Sequence, residues 1–223
     1  MSYNLYAYCL NNPVNRFDDG GNLSLPNWAG KVIAAVAVVA TVAAATVITV
    51  TTAGAGTAAA VIALGATKGA AVGLISGSVT GTIKGAIQHR VSSGSWDGVG
   101  IAALNGMGDG ALSGAIFGAI TGAVSSVLKV AKAAKAWDSG TFKSGYQSMK
   151  YHYNEHVVKE GLTKGYNVLK YTQDAIRFAN RNFSILKYTY NYKYANLSWN
   201  FTYLTGRGGM FTSIGKILTF WYR

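Results

Sequence analysis

Glycine recurs at every fourth residue in two long series. The first is Gly65, Gly69, Gly73, Gly77, Gly81 and Gly85, and the second is Gly106, Gly110, Gly114, Gly118 and Gly122. A period of four is close to the helical repeat, so each series makes one slowly drifting stripe on a helix. Glycine inside a helix costs roughly 1 kcal/mol per residue against alanine. Two helix backbones in close approach offset that cost. The spacing predicts two glycine-striped helices, folded into a hairpin across Gly94-Ser95-Trp96-Asp97-Gly98.

The residues before the stripes are apolar too. No charged residue occurs between Lys31 and Lys68, a run longer than the ~20 residues that span a bilayer. Its alanines, valines and threonines are only weakly apolar, so a buried helix or strand pair fits as well. Residues 28–136 are thus expected to form a mainly α-helical hydrophobic region. It is either a tightly packed soluble hairpin or a segment with membrane contact through residues 32–130.

Composition changes at Ala136-Trp137. The formal net charge is +12 overall, and residues 137–223 carry +8 of it although they are the shorter part. They also hold eleven of the fourteen tyrosines, whereas twenty of the twenty-eight glycines precede them. A basic, tyrosine-rich segment points to a polyanion, nucleic acid or an anionic membrane surface. Cys9 is the only cysteine, which excludes an internal disulfide and an all-cysteine zinc site. The start, MSYNLYAY, lacks the layout of a secretory signal.

Within 137–223, residues 142–160 read as a helix ended by Gly161. Met149, His152, His156 and Lys159 would share one face of it. A second helix would be capped by Thr172, with Asp174 in its first turn and Tyr171, Ala175, Phe178 and Ala179 buried. After Asn182 the period becomes two. Leu197, Trp199, Phe201 and Tyr203 alternate with polar residues, and FSILKYTY and KILTFWYR read as further strands. Gly206-Arg207-Gly208-Gly209 reads as a turn. Helices followed by a small antiparallel sheet make an α+β domain.

The histidines of YHYNEH, His152 and His156, admit three chemistries. As H-x-x-E-H they fit a zinc-protease pattern. The third ligand would have to be Glu160 or Asp174. As acid and base they suit RNA cleavage without metal or other cofactor, because imidazole titrates near neutrality. His152, His156 and Lys159 are then the candidate catalytic groups. Arg207, Lys216 and Arg223 are candidates for substrate binding, since cations stabilise phosphorane charge. Tyrosines can stack unpaired bases. The third option is an ordinary helix with two polar residues.

Three stretches carry a resemblance. NLYAYCLNNPVNRFDDGGN, Asn4 to Asn22, resembles the end of the Rhs/YD-repeat core, usually NLYAYCGNNPVNYVDPSGL. Asn4, Leu5, Tyr6, Ala7, Tyr8, Asn11, Asn12, Pro13, Val14, Asn15 and Asp18 match. Leu10 replaces the usual glycine, and Asp19-Gly20-Gly21 replaces Pro-Ser-Gly, the tail that supports self-cleavage in many such proteins. Read physically, the same stretch is a short strand followed by turns at Asn12-Pro13 and Asp19-Gly20-Gly21. LNGMGDGALSGAIFGA resembles the linker before toxin modules in Rhs proteins of Gram-positive bacteria. The last segment resembles toxin nucleases of the barnase–EndoU–colicin–RelE group. His152 and His156 match that group's two histidines, and Gly215, Ile217 and Thr219 match its last strand. Glu155 stands where the group has lysine.

The resemblance implies residues 1–27 as the end of an Rhs core, 28–136 as a pre-toxin region and 137–223 as the toxin domain, with Thr219 added to the catalytic candidates. It further implies an RNA substrate, with tRNA one candidate, a cognate immunity protein, and the remainder of an Rhs-repeat parent as partners. Delivery would be by secretion or from the cell surface, with action in the target-cell cytoplasm. A pore through residues 32–130, a zinc protease and a non-catalytic nucleic-acid-binding module are the alternatives.

Overall fold

The computed structural model describes residues 16–18, 24–54, 56–162, 165–185, 187–191 and 196–222. Residues 4–15 and 19–22 of the first motif, with Cys9 and both of its turn signals, lie outside the described residues, as does Arg223. The chain divides into two compact units, Met1–Val47 with Ala63–Val124, and Ile48–Ile62 with Ser125–Arg223. The composition break at Ala136-Trp137 therefore falls inside the second.

The first unit is built on the glycines. A short antiparallel pair, β1 (Arg16–Asp18) and β2 (Ser24–Pro26), precedes α1 (Asn27–Ala53). α2 (Ala58–Ser93) and α3 (Val99–Lys135) carry the two stripes. The uncharged run thus becomes α1 and the start of α2, not strands. Gly69 faces Gly118, Gly73 faces Gly114, Gly77 faces Gly110 and Gly81 faces Gly106, each at the partner's backbone carbonyl. A Cβ at any of these positions would collide with that carbonyl, so the spacing exists to let the backbones touch. The predicted hairpin is present, and its turn uses Gly94 and Gly98 at positive φ. α1 joins the pair through Ala35, Ala111 and Ala115, and by Lys31 bonding Asp109 at 2.5 Å. The larger side chains point outward. Val72, Ile75, Val79, Ile83 and Ile87 form an exposed row on α2.

The second unit is the α+β domain. α4 (Gly145–Tyr153) runs into a wider π turn, Asn154–Val158. It is followed by α5 (Val168–Asn182) and the strands β3 (Lys187–Asn191), β4 (Asn196–Thr202), β5 (Gly208–Phe211) and β6 (Ile217–Trp221). The strands pair in chain order, β3-β4-β5-β6, all antiparallel. Ala136–Asp138 lies along β6: Ile217 N–H donates to the Ala136 carbonyl at 2.8 Å, and Asp138 N–H to the Ile217 carbonyl at 2.9 Å. The core contains Trp137, Met149, Tyr153, Val157, Tyr171, Phe211, Ile217 and Phe220. Ala58 and Val130 are buried in the same cluster.

Several details differ from the sequence expectation. Asn167, not Thr172, caps α5, its side chain accepting from Leu169 N–H and Lys170 N–H. Thr172 is a turn further in and buried, where its hydroxyl accepts the Trp137 indole N–H at 3.0 Å and donates to the Val168 carbonyl. Asp174 is accordingly mid-helix. Phe183–Ile185 forms a 3₁₀ turn ahead of the strand Lys187–Asn191. Gly208 and Gly209 belong to β5 rather than to the turn. A Cβ on Gly208 would meet the Trp221 ring at 2.6 Å, so close cross-strand packing, not chain reversal, requires glycine there.

Candidate active site

The site begins with the break in helical winding after Tyr153. Ser144 caps α4 by accepting Gln147 N–H at 3.3 Å. Lys159 N–H then bonds the carbonyl of Asn154, five residues back, at 2.9 Å. Such single π turns commonly occur at functional sites. Here the turn leaves the His152 and His156 rings stacked, 5.7 Å apart at 7°. Trp137 also stacks on His152, 5.5 Å away at 16°.

β6 supplies the third group. Thr219 is buried, and its Oγ1 lies 3.2 Å from His152 Nδ1 and 3.3 Å from His156 Nε2. A hydroxyl donates only one hydrogen, so at most one of the two imidazoles accepts from Thr219. Glu160 Oε1 stands 3.6 Å from His156 Nδ1, and a carboxylate on that side favours the tautomer of neutral His156 with its hydrogen on Nδ1. His156 Nε2 then accepts from Thr219, and Thr219 accepts from His152 Nδ1–H. His152 Nε2 keeps its lone pair. With that tautomer the groups form an ordered path, Glu160–His156–Thr219–His152, with an unprotonated nitrogen at its end.

Electrostatics keep the pair uncharged. Burial, reinforced by neighbouring His156, pushes the His152 imidazole down to about 4 despite Glu155 nearby. Burial also lowers His156, while Glu160 opposes the shift. His152 is therefore neutral, and able to accept a proton, at neutral pH.

Two concavities lie in this unit, of which the first is lined by His152 and Thr219 and the second reaches the site only through Trp137. A cavity of about 270 Å³ is lined by His152, Thr219, Asp138, Phe142, Ser148 and Met210, among others. A broader groove of about 670 Å³ carries Lys135, Lys143 and Lys216 beside Trp137 and Tyr146. Three cations along one groove suit a phosphate backbone.

The structure thus brings His152, His156 and Thr219 together. Lys159 does not join them: its side chain is exposed and pairs with Glu155 at 2.6 Å. Lys216 lines the lysine groove. Arg207 is half-buried, its guanidinium 5.4 Å from the Phe220 and Tyr222 ring centres, and its Nε has no hydrogen-bond partner among the described residues. Arg223 lies outside the described residues. Asp174, one of the two acids weighed as a third zinc ligand, accepts from the Tyr222 hydroxyl at 3.1 Å instead. Among the described residues, no three of His, Cys, Asp and Glu gather in a metal-holding group.

Sequence reasoning missed Trp137 as the ring beneath His152, Glu160 as the partner of His156, and Lys135 and Lys143 as groove cations. Only Glu160 had a local signal, standing one helical turn after His156. No protein-family model, curated protein or solved structure matches this chain.

Proposed function

We propose that the second unit is a metal-independent ribonuclease in which His152 takes the proton of a ribose 2′-OH. The observation that carries this reading is the single Thr219 hydroxyl shared by two stacked histidines. His152 Nε2 accepts the proton, and its Nδ1–H can pass charge through Thr219 to His156, beside Glu160. The freed 2′-oxygen attacks the adjacent phosphorus, and the imidazolium then serves the leaving 5′-oxygen as acid. The lysine groove holds the RNA backbone and offsets phosphorane charge. Together with the resemblances in the sequence, this supports a toxin module of the Rhs type, acting on RNA in a target cell and restrained by an immunity protein. Mapping the ends of RNA exposed to the purified chain tests it: products should carry 2′,3′-cyclic phosphate and 5′-OH ends. Products with 5′-phosphate ends, or intact RNA, count against it.

A second activity rests on a separate observation. Three helices, Asn27–Ala53, Ala58–Ser93 and Val99–Lys135, are long and apolar enough to cross a membrane. The exposed rows on α2 and α3, including Ile75, Ile83, Phe117 and Ile120, support membrane contact through residues 32–130, for delivery or as a pore. Dye leakage from liposomes separates these two uses.

A further inference from the structure

We infer that the cavity beside His152 holds the nucleobase on the 5′ side of the cleaved bond, and that Asp138 makes it select guanine. The inference rests on the ribonuclease reading and names its substrate preference. The 2′-OH that His152 would deprotonate belongs to the nucleotide 5′ of the scissile phosphate. A cavity lined by His152 and Thr219 is therefore placed for that nucleotide's base.

The walls suit a flat heterocycle. Phe142 offers a ring and Met210 a polarizable thioether, both of which pack on aromatic faces. Asp138 is the anomaly. A carboxylate in the wall of a polyanion site repels phosphate, so its useful ligands are N–H or O–H donors. Its Oδ1 accepts Gly140 N–H at 2.8 Å, which fixes the carboxylate. Among the described residues its Oδ2 has no hydrogen-bond partner. Its backbone N–H is tied to the Ile217 carbonyl, two residues before Thr219, so this part of the base wall is anchored to the strand that carries Thr219.

Only guanine presents two adjacent donors, N1–H and the N2 amino group, on its pairing edge. Adenine and cytosine place a ring acceptor next to their amino group. Uracil flanks its single N–H with two carbonyls. A carboxylate gains from paired donors and is repelled by acceptors beside them. One bidentate contact of this kind discriminates by about 1–3 kcal/mol, roughly ten- to hundredfold.

The experiment uses the full chain and four dinucleotides, GpU, ApU, CpU and UpU, with 3′-GMP binding measured alongside by calorimetry. GpU should have the highest kcat/KM, by about tenfold or more. Asp138→Asn keeps the Oδ1 acceptor but turns an N–H toward the base. It should reduce the GpU-to-ApU ratio at least tenfold and weaken 3′-GMP binding similarly. Equal rates on all four dinucleotides, or a ratio unchanged by Asp138→Asn, overturn the inference. If nothing is cleaved yet 3′-GMP binds in an Asp138-dependent way, the base site stands and the ribonuclease reading fails. If 3′-GMP binding is absent or indifferent to Asp138→Asn, the base site fails.

Discussion

His152 and His156 lie face to face, 5.7 Å apart, and share one hydroxyl, that of Thr219 on the neighbouring strand. Neither ring nitrogen aimed at Thr219 has another partner at hydrogen-bonding distance among the described residues. Thr219→Val keeps the side-chain shape and removes the bridge. RNA cleavage should fall about 10²-fold. Stability should drop by about 1–3 kcal/mol, because two partly buried nitrogens are left without a partner. Thr219→Ser should retain most activity. Cleavage rates and thermal unfolding of the full-length variants check both effects.

Acid should destabilise the protein through His152. Its folded-state pKa, about 4, lies below the unfolded value of about 6.5. Between these values the unfolded chain binds the extra proton, so this stability is complete above pH 6.5 and is lost as pH falls toward 4. The loss is about 3 kcal/mol, and lowered His156 adds to it. Urea unfolding at pH 7 and pH 4.5 measures it, and His152→Phe should flatten the difference. The acid limb of the cleavage profile should likewise lie well below pH 6.5.

The lysine groove predicts a salt effect. For a single strand, each lysine–phosphate pair contributes about 0.7 to the slope of log K against log salt. Replacing Lys135, Lys143 and Lys216 with alanine should reduce the slope by about 2. Binding of a single-stranded oligonucleotide to the full chain between about 50 and 200 mM salt reads this directly.

Gly77 and Gly114 test the helical hairpin. Leucine at either position meets a partner carbonyl, of Gly110 or of Gly73. Overpacking of this kind costs about 1–3 kcal/mol or more per site. The double variant should lose helical circular dichroism and bind liposomes less. Unchanged helicity and partitioning would mean that the helices do not pack through their stripes.

The glycine hairpin was legible because a period of four leaves few alternatives once its cost is counted. The strands around Trp199 and Ile217 were legible through alternation. Other features depended on long-range partners. Thr172 reads as a cap by residue type, yet the Trp137 indole, thirty-five residues away, engages its hydroxyl. Gly208 and Gly209 read as a turn, but the Trp221 and Phe211 rings crowd them within a strand. In the site, spacing paired His152 with His156, and Thr219 came from a motif. The π turn has no sequence signature, and Lys159 pairs with Glu155 four residues before it. Composition placed a boundary at Ala136, although Val130 and Ala58 pack in the core beyond it.

The most direct test is cleavage of RNA by the purified full chain, with and without EDTA, for wild type, His152→Ala and His156→Ala. Wild-type cleavage should survive the chelator, and each alanine variant should be slower by ~10²- to 10⁴-fold while retaining its circular dichroism. Cleavage abolished by EDTA and restored by Zn²⁺ would make the histidines metal ligands, and wild-type rates in both alanine variants would make them structural; either result contradicts proton transfer by His152.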